Sequence, residues 1–300
     1  MNENRAITVK LLGPLVVRRG ETPVRLTAGR LRTLLAVLAA DAGATVPVER
    51  LVPALWGERA PVNARRSLQT HVARLRRALG PDAVRTTPGG YRLETDPDRI
   101  DVLRFRRLLA EAGRAPDPRA ERTLLEEALA LWRGPPFEGI DSDRLRSSDS
   151  AHLLELYLGA VERRTDLDLA GGRHGELLPE LLGLAEHHPL REPLWGRLLI
   201  ALGRSGRQAE ALAHYERLRR HLADELGTEP SAELRRIHAR LLRDEPLRDH
   251  RPPPAPARTP RRVVAFAGHV ADGPAGHRFS GVCVVWAHEE PAAGGSTAVG

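Results

Sequence analysis

Three hundred residues at 41% hydrophobic content suit two domains rather than one, and the single cysteine, Cys283, excludes a disulfide scaffold and a cysteine-rich zinc site. No apolar run approaches the ~18 residues of a membrane span and no signal peptide is visible, so the chain is expected in a reducing cytoplasm. The formal charge of +7 is unevenly held: residues 1–95 carry 16 basic and 7 acidic side chains, a net +9, leaving −2 for the remainder. A polyanion-binding surface therefore belongs to the N-terminal part.

In chain order, residues 8–12 and 15–19 predict two strands around Gly13-Pro14. Two short apolar helices follow over 30–40 and 48–56. Next comes a helix over 64–79 with Asn63 at its cap. Its residues Leu68, Val72, Leu75 and Leu79 recur at i, i+4, i+7 and i+11, a core-facing stripe. The opposite face presents Arg66, Thr70 and Arg77, with Ala73 and Arg74 beside them, and no carboxylate. A merely solvated face mixes both signs, whereas a helix that enters a DNA major groove excludes carboxylates and carries arginine. Residues 83–87 and 91–94 predict a hairpin around Pro88-Gly89-Gly90 that carries Arg85 and Arg92. The order β-β-(β)-α-α-α-β-hairpin resembles the OmpR-type winged helix-turn-helix.

Residues 101–246 read as successive helices broken at Asp117-Pro118, Gly134-Pro135-Pro136, Gly171-Gly172, Pro189, Gly206 and Gly227. The segment Gly172-Arg173-His174-Gly175-Glu176-Leu177-Leu178 matches Gly206-Arg207-Gln208-Ala209-Glu210-Ala211-Leu212 at an offset of 34, the period of tetratricopeptide helix pairs. Trp195, Leu198, Ala211 and Tyr215 sit at that repeat's packing positions. Trp132, Tyr157, Trp195 and Tyr215 are expected in the core, and the stacked pairs form a surface for docking protein. Residues 247–262 read as a Pro-rich basic linker. Beyond it, 262–267 and 279–287 predict short strands and the last residues a disordered tail, with no function legible. Gly268 and Gly273 have phosphate-loop spacing, but Pro274 stands where the lysine belongs.

Five ordered phrases carry a more specific resemblance. LLGPLVVRRG, LTAGRLRTLLAVLA, VERLVPALWGERAP, ARRSLQTHVARLRRALG and TTPGGYRLE together resemble the N-terminal domain of the Streptomyces antibiotic regulatory protein family. From IDVLRFRRLLAEA and LLEEALALWRGPPF to SAELRRIHARLL, the middle of the chain resembles that family's bacterial transcriptional activator domain. The expected architecture is an α+β winged helix-turn-helix over 1–95, an all-α tetratricopeptide-like array over 100–246, the linker 247–262 and an unassigned tail 263–300.

Catalytic constellations are lacking. No HExxH or CxxC pair occurs; His187-His188 precedes Pro189 at a helix end, where cationic imidazoles suit the dipole. His71 is expected to pack, and Asp141, Asp143 and Asp149 to serve as helix N-caps. Gly203 to Gly206 reads as a helix-to-helix turn. No enzyme activity, cofactor or metal is expected. Two alternatives to a sequence-specific activator stay open, a non-specific nucleic-acid binder and a helical signalling scaffold. The first would grip RNA, or DNA without sequence preference; the stacking aromatics of sequence-specific RNA modules are lacking, since Trp56 and Tyr91 occupy core positions.

The expected interface is double-stranded DNA. Arg66, Arg76 and Arg77 are assigned to phosphates, Thr70 and Arg74 to base edges, and the wing from Arg85 to Arg92 to the minor groove. The resemblance supports Arg74, Arg76 and Arg92, which match the cationic positions of the RLRR and GYR motifs. The turn Gly57-Glu58-Arg59-Ala60-Pro61 resembles the loop that contacts RNA polymerase in OmpR-type activators. The resemblance implies activation of a secondary-metabolite gene cluster by a nucleoid-associated protein. Because the winged helix has no internal two-fold axis, a direct-repeat operator is expected, with self-association through 100–246.

Overall fold

The apolar alternation at the start becomes β1 (Ile7–Lys10) in the computed structural model, which describes residues 6–247. It pairs antiparallel with β2 (Val16–Arg19), from Ile7 opposite Arg19 to Lys10 opposite Val16, and β3 (Thr22–Pro23) extends the sheet. Ile7, Val9 and Val17 turn inward beneath α1 (Gly29–Ala40), whose residues from Thr33 to Ala39 are all buried. A helix buried all round forms the centre of its domain. Around it pack α2 (Val48–Trp56) and α3 (Ala64–Leu79), the latter through Leu68, Val72, Leu75 and Leu79 as the stripe requires.

The wing is a three-stranded sheet in the order β4 (Val46–Pro47), β6 (Gly90–Leu93), β5 (Val84–Thr87). Strand β4 has no signal in the sequence, because two residues ending in proline show no alternation. Its presence also reassigns the glycines. The turn is only Pro88-Gly89, with Gly89 at φ +81°, as position i+2 of a type II turn after proline requires. Gly90 lies in β6, where a Cβ would sit 2.1 Å from the Val46 carbonyl oxygen.

Packing does not divide at residues 95–100. A single hydrophobic core runs from Ile7 through Leu34, Leu38 and Leu75 to Phe105, Phe137, Ile140, Leu145 and Leu153. It thus joins the winged helix to α4 (Asp101–Ala112), to the irregular stretch after α5 (Pro118–Leu129), and to the start of α6 (Ser150–Ala170). Asp101 is the buried junction. Its carboxylate accepts from the amides of Leu11 (2.7 Å), Leu12 (3.0 Å) and Val102 (2.8 Å), with the Arg133 guanidinium 3.5 Å away. The stretch after α5 repeats the attachment: the Arg133 amide donates to Leu12 O and the Phe137 amide to Leu11 O, each at 2.8 Å. Farther along, Thr33 Oγ1 donates to Asp141 O and Ser142 Oγ to Ala54 O, both at 3.1 Å, so α1 and α2 are held as well.

The remaining helices are α7 (His174–His187), α8 (Glu192–Arg204), α9 (Gln208–Leu226) and α10 (Ala232–Leu242). They share a second core through Leu181, Trp195, Leu198, Tyr215, Leu218 and Ile237. The 34-residue repeat is a repeat of backbone geometry. The Arg173 amide donates to Asp168 O and the Arg207 amide to Leu202 O, following Gly172 at φ +80° and Gly206 at φ +74°. Every predicted helix break falls between helices, and Asp117 caps α5 by accepting from the Arg119 and Ala120 amides at 2.9 Å. Trp195 and Tyr215 are core residues; Trp132 and Tyr157 are half-buried and stack on each other at 4.4 Å. The linker from 248 onward, the two C-terminal strands and Cys283 lie outside the described residues.

Candidate nucleic-acid interface

The outward face of α3 follows from its inward one. With every apolar residue of the 3.6-residue period turned to α1, the other side of the cylinder is left to Arg66, Thr70, Ala73, Arg74 and Arg77, all exposed. Among the described residues no carboxylate pairs with the guanidinium of Arg66, Arg74 or Arg77. Thr70 Oγ1 donates back to Arg66 O at 3.1 Å, which commits its proton and leaves its lone pairs facing outward as acceptors. Asn63 stands at the cap position, but its side chain makes no capping bond, so the predicted Asn cap is not formed. Its backbone sits at φ −104°, ψ 48° instead of the extended geometry that aims a cap side chain at the first turn.

Arg76 differs from its neighbours. At about 100° per residue it lies ~80° round from Arg66, on the flank beside the wing. There its Nε donates to Val84 O (2.8 Å) and one Nη to Thr86 Oγ1 (2.7 Å), bracing α3 against β5. The structure therefore does not bring it together with the outward-facing arginines. In the wing, Arg85 and Arg92 are direct cross-strand neighbours, so their side chains share one face. Glu94, two residues past Arg92 and on the same face, accepts from Arg92 Nε (2.8 Å) and Nη2 (2.7 Å) and lies 3.8 Å from Arg85 Nε. Sequence reasoning that looks for cations here misses this carboxylate, although the period of two places it.

Two family models cover this architecture: "Transcriptional regulatory protein, C terminal" over residues 21–93 and "Bacterial transcriptional activator domain" over 100–242. The regulatory protein DnrI of Streptomyces peucetius is 40% identical over 264 residues, which is 83% of this chain and 97% of that protein. The chain belongs to the Streptomyces antibiotic regulatory protein family. The transcriptional regulator RedD of Streptomyces coelicolor is 37% identical, covering 82% of this chain and 73% of RedD. The match to the regulatory protein AfsR of Streptomyces griseus, 38% identical over 89% of this chain, spans only 28% of that longer protein. A solved structure of Mycobacterium tuberculosis EmbR, in complex with a low-affinity phosphopeptide, superposes with a TM-score of 0.75 at 32% identity, over 81% of this chain and 66% of that one. This antibiotic regulatory protein is thus a DNA-binding transcriptional activator by family, with a winged helix-turn-helix followed by a helical domain.

Aromatic side chains of this family member's DNA-binding domain are used for assembly. Trp56 meets His71 edge-on (centroids 5.7 Å, planes at 87°), carries the Arg30 guanidinium 6.0 Å from its ring centre, and so fastens α1, α2 and α3 together. Tyr91 is buried in the wing. The α2–α3 connection begins at Gly57, φ +56°, whose amide closes α2 on Pro53 O. Glu58, Arg59 and Ala60 are exposed and Pro61 half-buried, and the connection continues through Val62, an apolar residue wholly in solvent that lies past the predicted boundary.

Other polar candidates resolve into ion pairs and packing. Asp141 and Asp143 pair with Arg146 at 3.2 and 2.8 Å rather than capping a helix. Asp149 makes no cap because its backbone is already α-helical, continuing a π-helical turn (Leu145–Asp149) into α6. Against the cationic imidazole expected at this helix end, burial first, and then Arg191, hold the His188 pKa below the ordinary 6.5. Among the described residues no three His, Cys, Asp or Glu side chains form a metal-ligating group, and no helix is long and apolar enough to cross a membrane.

Proposed function

We propose that this regulator binds a direct-repeat operator through α3 and its wing and activates a secondary-metabolite gene cluster by presenting residues 57–61 to RNA polymerase. In this reading residues 1–95 are the DNA module, and residues 100–246 supply the contacts between adjacent copies. Arg66 and Arg77 neutralise phosphates, Arg74 and Thr70 address base edges, and Arg92 with Arg85 reaches the minor groove. The observation that carries the proposal is the carboxylate-free, unpaired arginine face of α3, which matches the requirement of a polyanionic groove. Kinship with DnrI and RedD supports the regulatory role.

Salt-titrated binding to the footprinted operator tests it. Arg66→Ala and Arg77→Ala should each flatten the log–log salt dependence by about 0.9, the yield of one phosphate contact. Arg74→Ala should cost about 1–3 kcal/mol and relax base choice at one position. Inserting about half a helical turn between the repeats should abolish cooperative binding, and a full turn of roughly 10–11 base pairs should restore part of it. A palindromic footprint, or salt slopes untouched in both arginine variants, overturns the assignment.

A further inference from the structure

DNA-binding faces exclude carboxylates, and α3 obeys this rule while the wing breaks it. Glu94 stands against both wing arginines, 2.7 Å from Arg92 and 3.8 Å from Arg85. The hairpin does not need its side chain. The backbone of Glu94 is fixed by its own amide, which donates to Ala83 O at 2.9 Å, and the β5–β6 ladder runs from Val84 to Thr87 opposite Leu93 to Gly90. The carboxylate therefore has electrostatic consequences and no evident packing role: it neutralises one of the wing's two positive charges and holds the Arg92 guanidinium turned along the strand. Any phosphate that approaches Arg92 must take the place of this carboxylate or lie beside a like charge.

We propose that Glu94 is an affinity-limiting residue, an internal anion that competes with the DNA backbone for Arg92 and Arg85. The inference rests on the wing reading given above. It predicts that Glu94→Gln, which keeps the shape and a neutral acceptor, tightens binding to DNA. The tightening should be roughly two- to fivefold, the size of an exposed ion pair, and should fade at high salt as the charges are screened. The salt dependence should steepen by up to about 0.9 as a released arginine gains a phosphate.

The experiment is fluorescence anisotropy of the full chain on a labelled duplex of random sequence, comparing wild type, Glu94→Gln, Arg85→Ala/Arg92→Ala and the triple variant, with thermal unfolding to verify that each is folded. Tighter binding by Glu94→Gln that disappears in the triple variant supports the proposal. If Glu94→Gln binds as wild type or more weakly, the carboxylate positions Arg92 or is idle, and the proposal fails while the wing reading stands. A gain that persists in the triple variant reduces the effect to a net-charge change and also overturns it. If the double arginine variant binds as tightly as wild type, the wing does not engage DNA and both readings fall.

Discussion

Replacing Asp101 by alanine tests how firmly the winged helix is held to the helical domain. Its carboxylate accepts from three backbone amides at 2.7 to 3.0 Å, and the residues that donate from the N-terminal sheet, Leu11 and Leu12, are wholly buried. Truncation strands those two donors, each costing about 1–3 kcal/mol when left unpaired in the interior. It also leaves the partly exposed Arg133 without its nearest carboxylate, a smaller loss. The sum is roughly 3–5 kcal/mol, a large share of the 5–15 kcal/mol that typically separates folded from unfolded chains. Thermal unfolding should therefore shift down by on the order of 10 °C for a domain of this size. Urea unfolding of the full chain, with DNA binding of the residual folded fraction measured in parallel, is the assay. A loss below about 1 kcal/mol would show that the Leu11 and Leu12 amides find other partners and that Asp101 is not the clamp.

Burial, outweighing the three amides and Arg133, raises the Asp101 pKa above the ordinary 3.8. The folded state then holds that proton more tightly than the unfolded one, so this group makes stability fall as pH rises from 3.8 through its folded value, and adds no slope above it. Asp101→Asn should flatten that window in pH-dependent urea unfolding; an unchanged slope refutes the assignment. Arg76→Ala should lower stability by about 1–2 kcal/mol, through two lost charge-assisted bonds to the wing, while flattening the salt dependence of DNA binding by less than the ~0.9 of one phosphate. A flattening of the full ~0.9 with stability intact would return Arg76 to the DNA. Gly90→Ala should cost about 1–3 kcal/mol because its Cβ meets the Val46 carbonyl at 2.1 Å. Gly89→Ala, with open space around it, should cost about 1–2 kcal/mol from its positive φ alone, and unlike Gly90→Ala should leave β4 protected from amide exchange.

What the sequence discloses is periodic. The apolar stripe of α3 repeats every turn for about three turns, so both its buried and its basic face are legible from residue types alone. The 34-residue repeat is legible for the same reason, since glycine and arginine recur where the backbone makes the same turn. Contacts across long separations are not. Asp101 meets Leu11 across 90 residues, and nothing in IDVLRF distinguishes a buried acceptor from a helix-starting aspartate. The RLRR motif suggests Arg76 as a phosphate contact because a motif does not contain the wing beside it, to which Arg76 is bonded. Strand β4 is too short to carry a pattern, and its partner Gly90 looks like part of the turn it only follows. The expected caps fail at Asn63 and Asp149 because composition favours a residue type at a position, whereas capping depends on the local φ and ψ.

Helix α6 has a practical meaning for anyone recombining regulators of this family. Its first turn contributes Leu153 to the core shared with the DNA-binding helices, its middle contributes Ala160 to a small cluster with Ala112 and Leu125, and its last turn contributes Leu169 to the core of α7 to α10. One rigid rod of 21 residues, ~30 Å long, is thus built into three interiors. A chimera spliced at residues 95–100 would pair foreign surfaces at Leu11, Leu12, Phe105 and Phe137, and one spliced after residue 150 would cut the rod itself. The unit that can be exchanged between such proteins while preserving every interior is the whole stretch from β1 to α10; under the proposed function, operator preference would be altered by substitutions on the outer face of α3 in place of domain transplantation.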